Sequence, residues 1–600
     1  MAMRLSVIAV IAICFAAKAG AHSGDPAPSC TTMTTCLEQF HALDPGTDDN
    51  GGLDGAQQAL SAGLESLSPA PIVTLIQLLD DPGVKRRNVA AHALGALKAR
   101  EAVPALMRHV GDTSWADWAL ASIGDARAIL AMLKQLGDLH GGGDAIARFG
   151  SVGVAALAKV LVDPHASVVA QHGAMSGMTS HSVDDDVDVS EAVAILRRAI
   201  PVTDERLDWI VIVLASFGPR AAAAIPELRA LRGTSAVARV ERTVQLGQGA
   251  TSTSSMPDID IVLVRLGDAE PVRRVAEQLR SEERWAFYAS LDALSSLGPR
   301  AVSAVPPLTD LLRHGTFKQQ AVAARLLGSI GDPSTTKELV AAFDVRSWRV
   351  AGEAARALGQ LGEAAGVDAA TALAALRDTH WSAVVRDIAN VAYRQTCGEH
   401  IDVAQTEEAW GSLDRGFETD VRHGGITCAF ARVDGGSTRW KARLDGRWFE
   451  LQNLFDGPPL PTPLPGELTP RYGSGQIFVS GDSTFVARHG GEWEGDLHVV
   501  EGGVATRLAN RNTSGLVHIG ADVFAVGGLA HLGMNEGMVT RVRRVDGHWQ
   551  ARELVELPGD PRALAVVDGR LVVGILGPET LVIDVDGTVH AVPCSIVGPQ

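Results

Sequence analysis

The chain has 600 residues, which is too long for one ordinary hydrophobic core, so two or more structural units are expected. Hydrophobic residues make up 46% and charged residues 20%, a composition typical of globular proteins and not of disordered ones. The formal net charge of −17 argues against nucleic acid or an anionic membrane surface as the main partner.

Residues 1–21 have the features of a secretory signal peptide. Arg4 precedes a short apolar run, and the small residues that follow offer cleavage after Ala19 or Ala21. The run is too short to span a bilayer, and no later apolar run in the sequence approaches that length. We therefore expect an exported bacterial protein, periplasmic or secreted, with no integral membrane segment once the signal is removed.

Export allows the cysteines to form disulfide bonds. Cys30 and Cys36 flank TTMTT within residues 22–68, an N-terminal cap segment, and are expected to close a small loop. Cys397, Cys428 and Cys594 remain in the C-terminal part, where one of the three is left free or pairs between molecules. The alternative is that several of them are buried thiols.

Two patterns near the N-terminus fit metal ligands. The loop at 44–57 places Asp48, Asn50 and Asp54 at calcium-ligand spacing, although Gln57 stands where a bidentate Glu is needed. His22 lies at or near the mature N-terminus, where its imidazole and the free amine can chelate copper. The alternatives are a solvated Asp/Gly loop and a histidine placed there by chance. We expect no cofactor, with calcium or copper left open by these residues.

A short apolar-glycine phrase recurs along the helical part of the chain. It occurs as LASIG at 120–124, LASFG at 214–218, LSSLG at 294–298, LGSIG at 327–331 and LGQLG at 358–362. Glycine accepts the left-handed conformation that ends a helix, and proline suits the first turn of the next one. The pattern predicts helix pairs with a period of roughly thirty residues, each burying its apolar face against the next pair.

The fullest forms of this pattern are DPGVKRRNVAAHALGALKAREAVPALMRHVGD (81–112) and FKQQAVAARLLGSIGDPSTTKELVAAFD (317–344). On these segments, residues 69–397 resemble HEAT repeats of the short, alanine-rich phycobilisome-lyase-like type. The resemblance implies an α-solenoid, a fold that serves scaffolds, enzyme subunits and chromophore lyases alike. Within it, GQGATSTSSMPD (247–258) is interpreted as an inserted loop.

Residues 398–422 are interpreted as a linker, and residues 423–600 are predicted to form an antiparallel all-β domain. Short β-branched runs such as TLVIDV are separated by Gly and Asp turns. Similar phrases surround Trp448, Trp493 and Trp549, and this repetition resembles the blades of a β-propeller, with a twisted β-sandwich as the alternative. The predicted fold class is an α-solenoid of helix pairs followed by an all-β domain.

The sequence contains no metalloprotease, Walker or esterase-elbow motif. The turn tryptophans Trp115, Trp348 and Trp381 either line a partner-binding face or pack against the neighbouring repeat. We expect a non-enzymatic protein-binding or scaffold protein whose partner is another protein. One alternative is a hydrolase or ligand-binding protein with its site among the histidines of the β domain, such as His489 and His498. Another is a metal-handling envelope protein.

Overall fold

The protein is described from a computed structural model. The structure describes residues 30–593, apart from residues 44–52, 54, 112–113, 137–141, 181–182, 203–205, 235–241, 248–249, 282, 402–429, 433–437, 445–446, 455–467, 469–473, 492–494, 532–533 and 576–578. The predicted signal peptide, the candidate metal ligands His22, Asp48, Asn50 and Asp54, and both Cys428 and Cys594 lie outside the described residues. The chain divides into two compact units, Met1–Val275 and Ala276–Gln600, which we call the N-terminal unit and the C-terminal unit.

The N-terminal unit is an array of short helices. They are α1 (Met33–Ala42), α2 (Gly55–Ser66), α3 (Ile72–Leu78), α4 (Val84–Ala96), α5 (Val103–Leu106), α6 (Ser114–Ile123), α7 (Arg127–Lys134), α8 (Gly142–Ala147), α9 (Ser151–Val162), α10 (Val168–Thr179), α11 (Ser190–Ala199), α12 (Leu207–Ser216), α13 (Ile225–Ala230) and α14 (Ile259–Arg265), with α15 (Val272–Glu277) at the border. The even-numbered helices from α2 to α14 pack side by side in one layer, and the odd-numbered helices pack behind them. This alternation is the stacking that a solenoid needs to bury a continuous core.

Part of the predicted loop at 247–258 is instead a β-hairpin. Strands β1 (Arg242–Gly247) and β2 (Ala250–Ser254) pair in antiparallel register, so the loop interpretation is wrong over β2. The Thr243 and Thr253 hydroxyls lie 3.1 Å apart across the strands, a cross-strand contact that stabilises such a pair. The Ser254 hydroxyl donates to Asp208 over 2.6 Å, which ties the end of the hairpin to α12.

The C-terminal unit begins with further helix pairs. They are α16 (Arg284–Ser295), α17 (Val305–His314), α18 (Phe317–Ile330), α19 (Thr336–Ala341), α20 (Trp348–Leu361), α21 (Gly366–Thr379) and α22 (Ala383–Thr396). The helices α16, α18, α20 and α22 form one layer, and α17, α19 and α21 form the other. Within the described residues of both units, no helix is both long and apolar enough to cross a membrane.

The two glycines of the recurring phrase have different roles. Gly331 ends α18 with φ of 74°, and its backbone N–H donates to Leu327 over 3.1 Å, as the sequence predicted for the last glycine. Gly328 lies at the contact between helices, where an added Cβ would be 2.7 Å from the Cα of Ala357 on α20. The first glycine therefore allows α18 and α20 to approach closely, a role that the sequence analysis did not predict.

The strands of the C-terminal unit are all antiparallel. They are β3 (Phe430–Arg432), β4 (Thr438–Leu444), β5 (Arg447–Asn453), β6 (Ser474–Ser480), β7 (Ser483–His489), β8 (Asp496–Glu501), β9 (Val504–Ala509), β10 (Gly515–Ile519), β11 (Asp522–His531), β12 (Met534–Val545), β13 (His548–Leu557), β14 (Pro561–Val567), β15 (Arg570–Ile575), β16 (Glu579–Ile583) and β17 (Val589–Pro593). Strands β6 to β9 form one sheet and β10 to β13 a second, each in sequence order. The third has the order β17-β16-β15-β14-β5-β4-β3.

The sheet β10–β13 is buried on both faces. On β11, Val523 belongs to a core cluster shared with Phe485 of β7, whereas Phe524 belongs to a cluster shared with Leu571 of β15. Successive residues of a strand point to opposite faces, so this sheet is packed between the other two. The predicted fold class, a helical solenoid followed by an antiparallel all-β region, is confirmed. The predicted domain borders at 22, 69, 398 and 423 stay predictions.

Candidate interaction surface

In the C-terminal unit, an aromatic residue stands at or near the start of each helix in the α16 layer. These residues are Trp285, Phe317, Trp348 and Trp381, which precedes α22. Because neighbouring helices of a solenoid layer run in the same direction, their starts form one edge of the repeat array. We call this edge the helix-start row and define it by these four residues.

Glu553 of β13 lies at the start of α18. Its Oε2 accepts the backbone N–H of Phe317 over 2.8 Å, and its Oε1 accepts from Arg511 over 2.7 Å. The first N–H groups of a helix have no partner inside the helix, and the helix dipole adds positive character there. The Glu553 carboxylate therefore satisfies one of these groups and gains a favourable charge interaction.

Glu556 of the same strand lies at the start of α20. The Ser347 hydroxyl donates to the Glu556 carboxylate, and the Arg349 Nε lies 3.4 Å from Glu556 Oε1. The Glu556 backbone N–H donates to the Arg346 carbonyl over 3.2 Å, and Ser347 and Glu556 form a short parallel bridge. Burial raises the pKa of the Glu556 carboxyl, and the Arg349 charge opposes that shift. The helix-start row thus binds an acidic strand of the chain itself.

Two of the three tryptophans considered as partner-binding residues, Trp348 and Trp381, are buried or half-buried in the structure. Trp348 is fully buried, at 0% exposure, so in this structure it packs inside the protein. Trp381 is half-buried against the β core cluster that includes Leu454 and Phe524. Both side chains therefore pack inside the structure, and the packing of Trp381 includes the sheets.

The start of α16 is different because its aromatic residues face solvent. Trp285 is 57% exposed and Tyr288, one turn further along the helix, is 43% exposed. The Lys318 ammonium lies 4.5 Å from the centre of the Tyr288 ring and donates to the Tyr288 hydroxyl over 3.0 Å. The Arg284 guanidinium lies 5.9 Å from the same ring. We call Arg284, Trp285, Tyr288 and Lys318 the α16 surface.

Trp115 of the N-terminal unit packs within the repeats. Its ring centre is 4.9 Å from His92 of α4 and 5.4 Å from Trp118, and His92 stacks on Trp118 at 4.7 Å. The His92 Nδ1 lies 2.8 Å from the Ser61 Oγ of α2. Trp115 therefore contacts the adjacent repeat helix, which is the second of the two roles considered from the sequence.

A cavity of about 560 Å³ lies in the N-terminal unit beside the start of α14. Arg232 and Arg274 in its wall each pair with both Asp260 and Glu270, at N···O distances between 2.6 and 3.1 Å. The wall also contains Asp258, whose carboxylate accepts backbone N–H groups at the start of α14, so two cations face three carboxylates and the net charge of the wall is small. The charge of the cavity wall therefore does not indicate which class of ligand the cavity binds.

The described histidines of the β region do not meet in one site. His498 lies opposite Val486 in the strand register, on the same face as Asp496, and its Nδ1 is 3.3 Å from the Asp496 carboxylate. His489 of β7 stands an odd number of residues from Val486 and so points to the other face. In the part of the chain that the structure describes, no group of three or more His, Cys, Asp or Glu side chains is placed to hold a metal ion.

Cys30 and Cys36 are joined by a disulfide bond in the structure, and both are buried. Cys397 follows α22, is exposed, and forms no disulfide bond with another of the described cysteines. The pairing of Cys397 with Cys428 or Cys594 stays a prediction because both of those residues lie outside the described residues.

Comparison with known proteins identifies the repeats. A family model described as HEAT repeats matches residues 305–394, from the start of α17 into α22. A search of curated proteins found no match. Among solved structures, the chain is similar to an engineered protein at 19% identity, a TM-score of 0.28, and coverage of 61% of this chain and 99% of that one. It is similar to human deoxyhypusine hydroxylase in complex with glycerol at 20% identity, a TM-score of 0.19, and coverage of 55% and 96%.

A third similar structure is importin beta, at 12% identity and a TM-score of 0.37, covering 64% of this chain and 58% of that one. Residues 305–394 are HEAT repeats by the family match. HEAT solenoids commonly act as extended binding surfaces for other proteins.

Trp285 was not among the residues predicted from the sequence. The turn before it reads SEERW, whereas the tryptophans that were predicted follow an Asp-containing turn such as DVRSW. In both cases the tryptophan lies within two residues of the helix start, and that position was the usable signal. Exposure distinguishes Trp285 from the buried Trp348, and exposure depends on tertiary packing.

Proposed function

We propose that this chain is an exported scaffold that binds another protein through its HEAT solenoid. The main observation behind the proposal is that the helix-start row contacts another segment of this chain. Glu553 and Glu556 of β13 bind at the starts of α18 and α20. The same row continues to α16, where Trp285 and Tyr288 are exposed. Aromatic and arginine side chains are the residues that most often anchor protein interfaces.

Export is part of this proposal. The sequence of residues 1–21 supports it, and so does the disulfide between Cys30 and Cys36, because such bonds persist mainly in oxidising compartments. We propose further that the repeats are of the short phycobilisome-lyase-like type and that the sheets form a β-propeller or a twisted sandwich. The face-to-face packing of three sheets, two of them simple four-stranded meanders, supports the propeller arrangement.

Chemical cross-linking in the native envelope extract, followed by affinity capture of the full chain and mass spectrometry, tests the scaffold function. We expect a partner that is enriched reproducibly over a bait of similar size and net charge. Absence of any enriched protein at several cross-linker concentrations would contradict the scaffold function. The intact mass of the mature chain tests export, because cleavage after Ala19 or Ala21 predicts two defined masses.

A further inference from the structure

We propose that the α16 surface binds an acidic, extended segment of a partner protein. This inference rests on the scaffold function and specifies the chemistry of its partner. The surface combines two exposed aromatic rings with two cations, Arg284 and Lys318, in a chain whose net charge is −17. Aromatic side chains supply contact area to an interface, and cations beside them favour a ligand that carries carboxylates.

The α16 surface is continuous with an interface that the structure contains. Phe317 donates its backbone N–H to Glu553, and the next residue, Lys318, contacts Tyr288 of α16. An occupant of the α16 surface would therefore lie beside the Glu553 contact on the same edge of the repeat array. Elsewhere on the helix-start row, the edge binds β13, a strand whose Glu553 and Glu556 carboxylates contact helix starts.

The charges around the α16 surface agree with an acidic occupant. Lys318 is exposed, and its ammonium keeps hydrogen-bonding capacity beyond the bond to Tyr288, because an ammonium has three N–H donors. Glu283 precedes Arg284 in the sequence and carries the opposing charge nearest along the chain. An acidic ligand would thus meet two cations arranged around an aromatic platform.

A defined peptide provides the probe. Residues 553–560 of this chain, ELVELPGD, carry Glu553, Glu556 and Asp560 with apolar residues between them. We expect a fluorescein-labelled ELVELPGD peptide to bind the full chain, as measured by fluorescence anisotropy, and to bind more weakly as salt rises. The peptide with lysine at the three acidic positions is expected not to bind. A lack of binding by the acidic peptide at low salt would overturn the proposal.

Three variants locate the binding site. Trp285→Ala is expected to weaken peptide binding roughly tenfold, as an interface anchor does, and Lys318→Met roughly threefold. Val367→Ala shortens an even more exposed apolar side chain, at 77% exposure on α21, and is expected to leave binding unchanged. Equal affinity for the parent chain and Trp285→Ala would overturn the proposal, because the peptide would then bind elsewhere, for example by displacing β13.

Capture of the native partner distinguishes a failure of this inference from a failure of the scaffold function. Capture of the same partner by the parent chain and by Trp285→Ala in equal yield would leave the scaffold function standing and overturn the α16 surface as its site. Loss of capture in Trp285→Ala alone, with Val367→Ala unaffected, would support both.

Discussion

The carboxylate of Glu553 accepts the backbone N–H of Phe317 over 2.8 Å, although the two residues are 236 positions apart in the sequence. This contact joins the β10–β13 sheet to the helix pairs of the C-terminal unit. With the Glu556 contacts at α20, it attaches β13 to two neighbouring helices of the repeat array. The same edge of the array supplies the proposed binding surface.

We predict that Glu553→Ala increases amide hydrogen exchange at the first turn of α18. The variant removes the acceptor of the Phe317 N–H and the negative charge at the helix start, which together contribute about 1 kcal/mol. Exchange over residues 315–320 is expected to rise roughly fivefold by mass spectrometry. Glu450→Ala, which removes an exposed acid from β5, serves as the control, and equal exchange in the two variants would contradict the prediction.

The buried carboxyl of Asp560 is expected to make the free energy of unfolding depend on pH. Burial raises the pKa of its carboxyl to about 6, although Arg562 lies 3.0 Å away and lowers it. Because the folded-state pKa lies above the unfolded value of about 3.9, the stabilising contribution of the protonated acid is complete at lower pH. It is lost as the pH rises from about 4 through 6, by roughly 3 kcal/mol.

Asp560→Asn is therefore expected to flatten the pH dependence between pH 4 and 7 in urea unfolding of the full chain. Asp546→Asn is the matched control, because Asp546 is exposed in a turn with φ of 49° that Asn also tolerates. A pH profile of Asp560→Asn that matches the parent profile would show that this carboxyl is not the cause.

Trp348 is predicted to be one of the most stabilising side chains of the C-terminal unit. It is fully buried at the first residue of α20, so Trp348→Ala leaves a large cavity and is expected to lower the free energy of unfolding by about 3–5 kcal/mol. Val367→Ala, at an exposed position, is expected to change it by less than about 0.5 kcal/mol. Thermal unfolding followed by circular dichroism measures both, and a small effect of Trp348→Ala would mean that the buried packing does not form.

Gly328→Ala tests the close approach of α18 and α20. An added Cβ would lie 2.7 Å from the Cα and 2.8 Å from the Cβ of Ala357, so the helices must separate. We expect a loss of about 1–3 kcal/mol, even though alanine favours a helix over glycine by nearly 1 kcal/mol. Gly55→Ala, where no heavy atom lies within 4 Å of the added Cβ, is expected to be neutral or stabilising. Stabilisation by Gly328→Ala would contradict the packing role.

The helical part of the fold could be predicted from local signals, because Gly331 and its counterparts end helices by a backbone conformation that the residue itself permits. The role of Gly328 could not, since it depends on Ala357, which lies in the next repeat. The hairpin at 242–254 was missed because its Thr- and Ser-rich composition is also typical of a loop, and the contact of Ser254 with Asp208 is tertiary.

The sequence indicated which type of residue forms the interaction surface, but not which of those residues are exposed. Tryptophan at a helix start was the correct signal, but the sequence does not show that Trp381 packs against the β core cluster or that Trp348 is buried, while Trp285 stays exposed. These differences depend on pairings such as Glu556 with Ser347, which lie 209 positions apart.

Carbodiimide cross-linking, which couples lysine amines of the full chain to carboxylates of its captured partner, with the cross-linked residues identified by mass spectrometry, tests the central claim most directly. Binding along the helix-start row predicts that partner cross-links concentrate at Lys318, next to Trp285 and Tyr288, and come from an acidic segment of the partner. Cross-links confined to lysines of the N-terminal unit, such as Lys134 and Lys159, would contradict the claim.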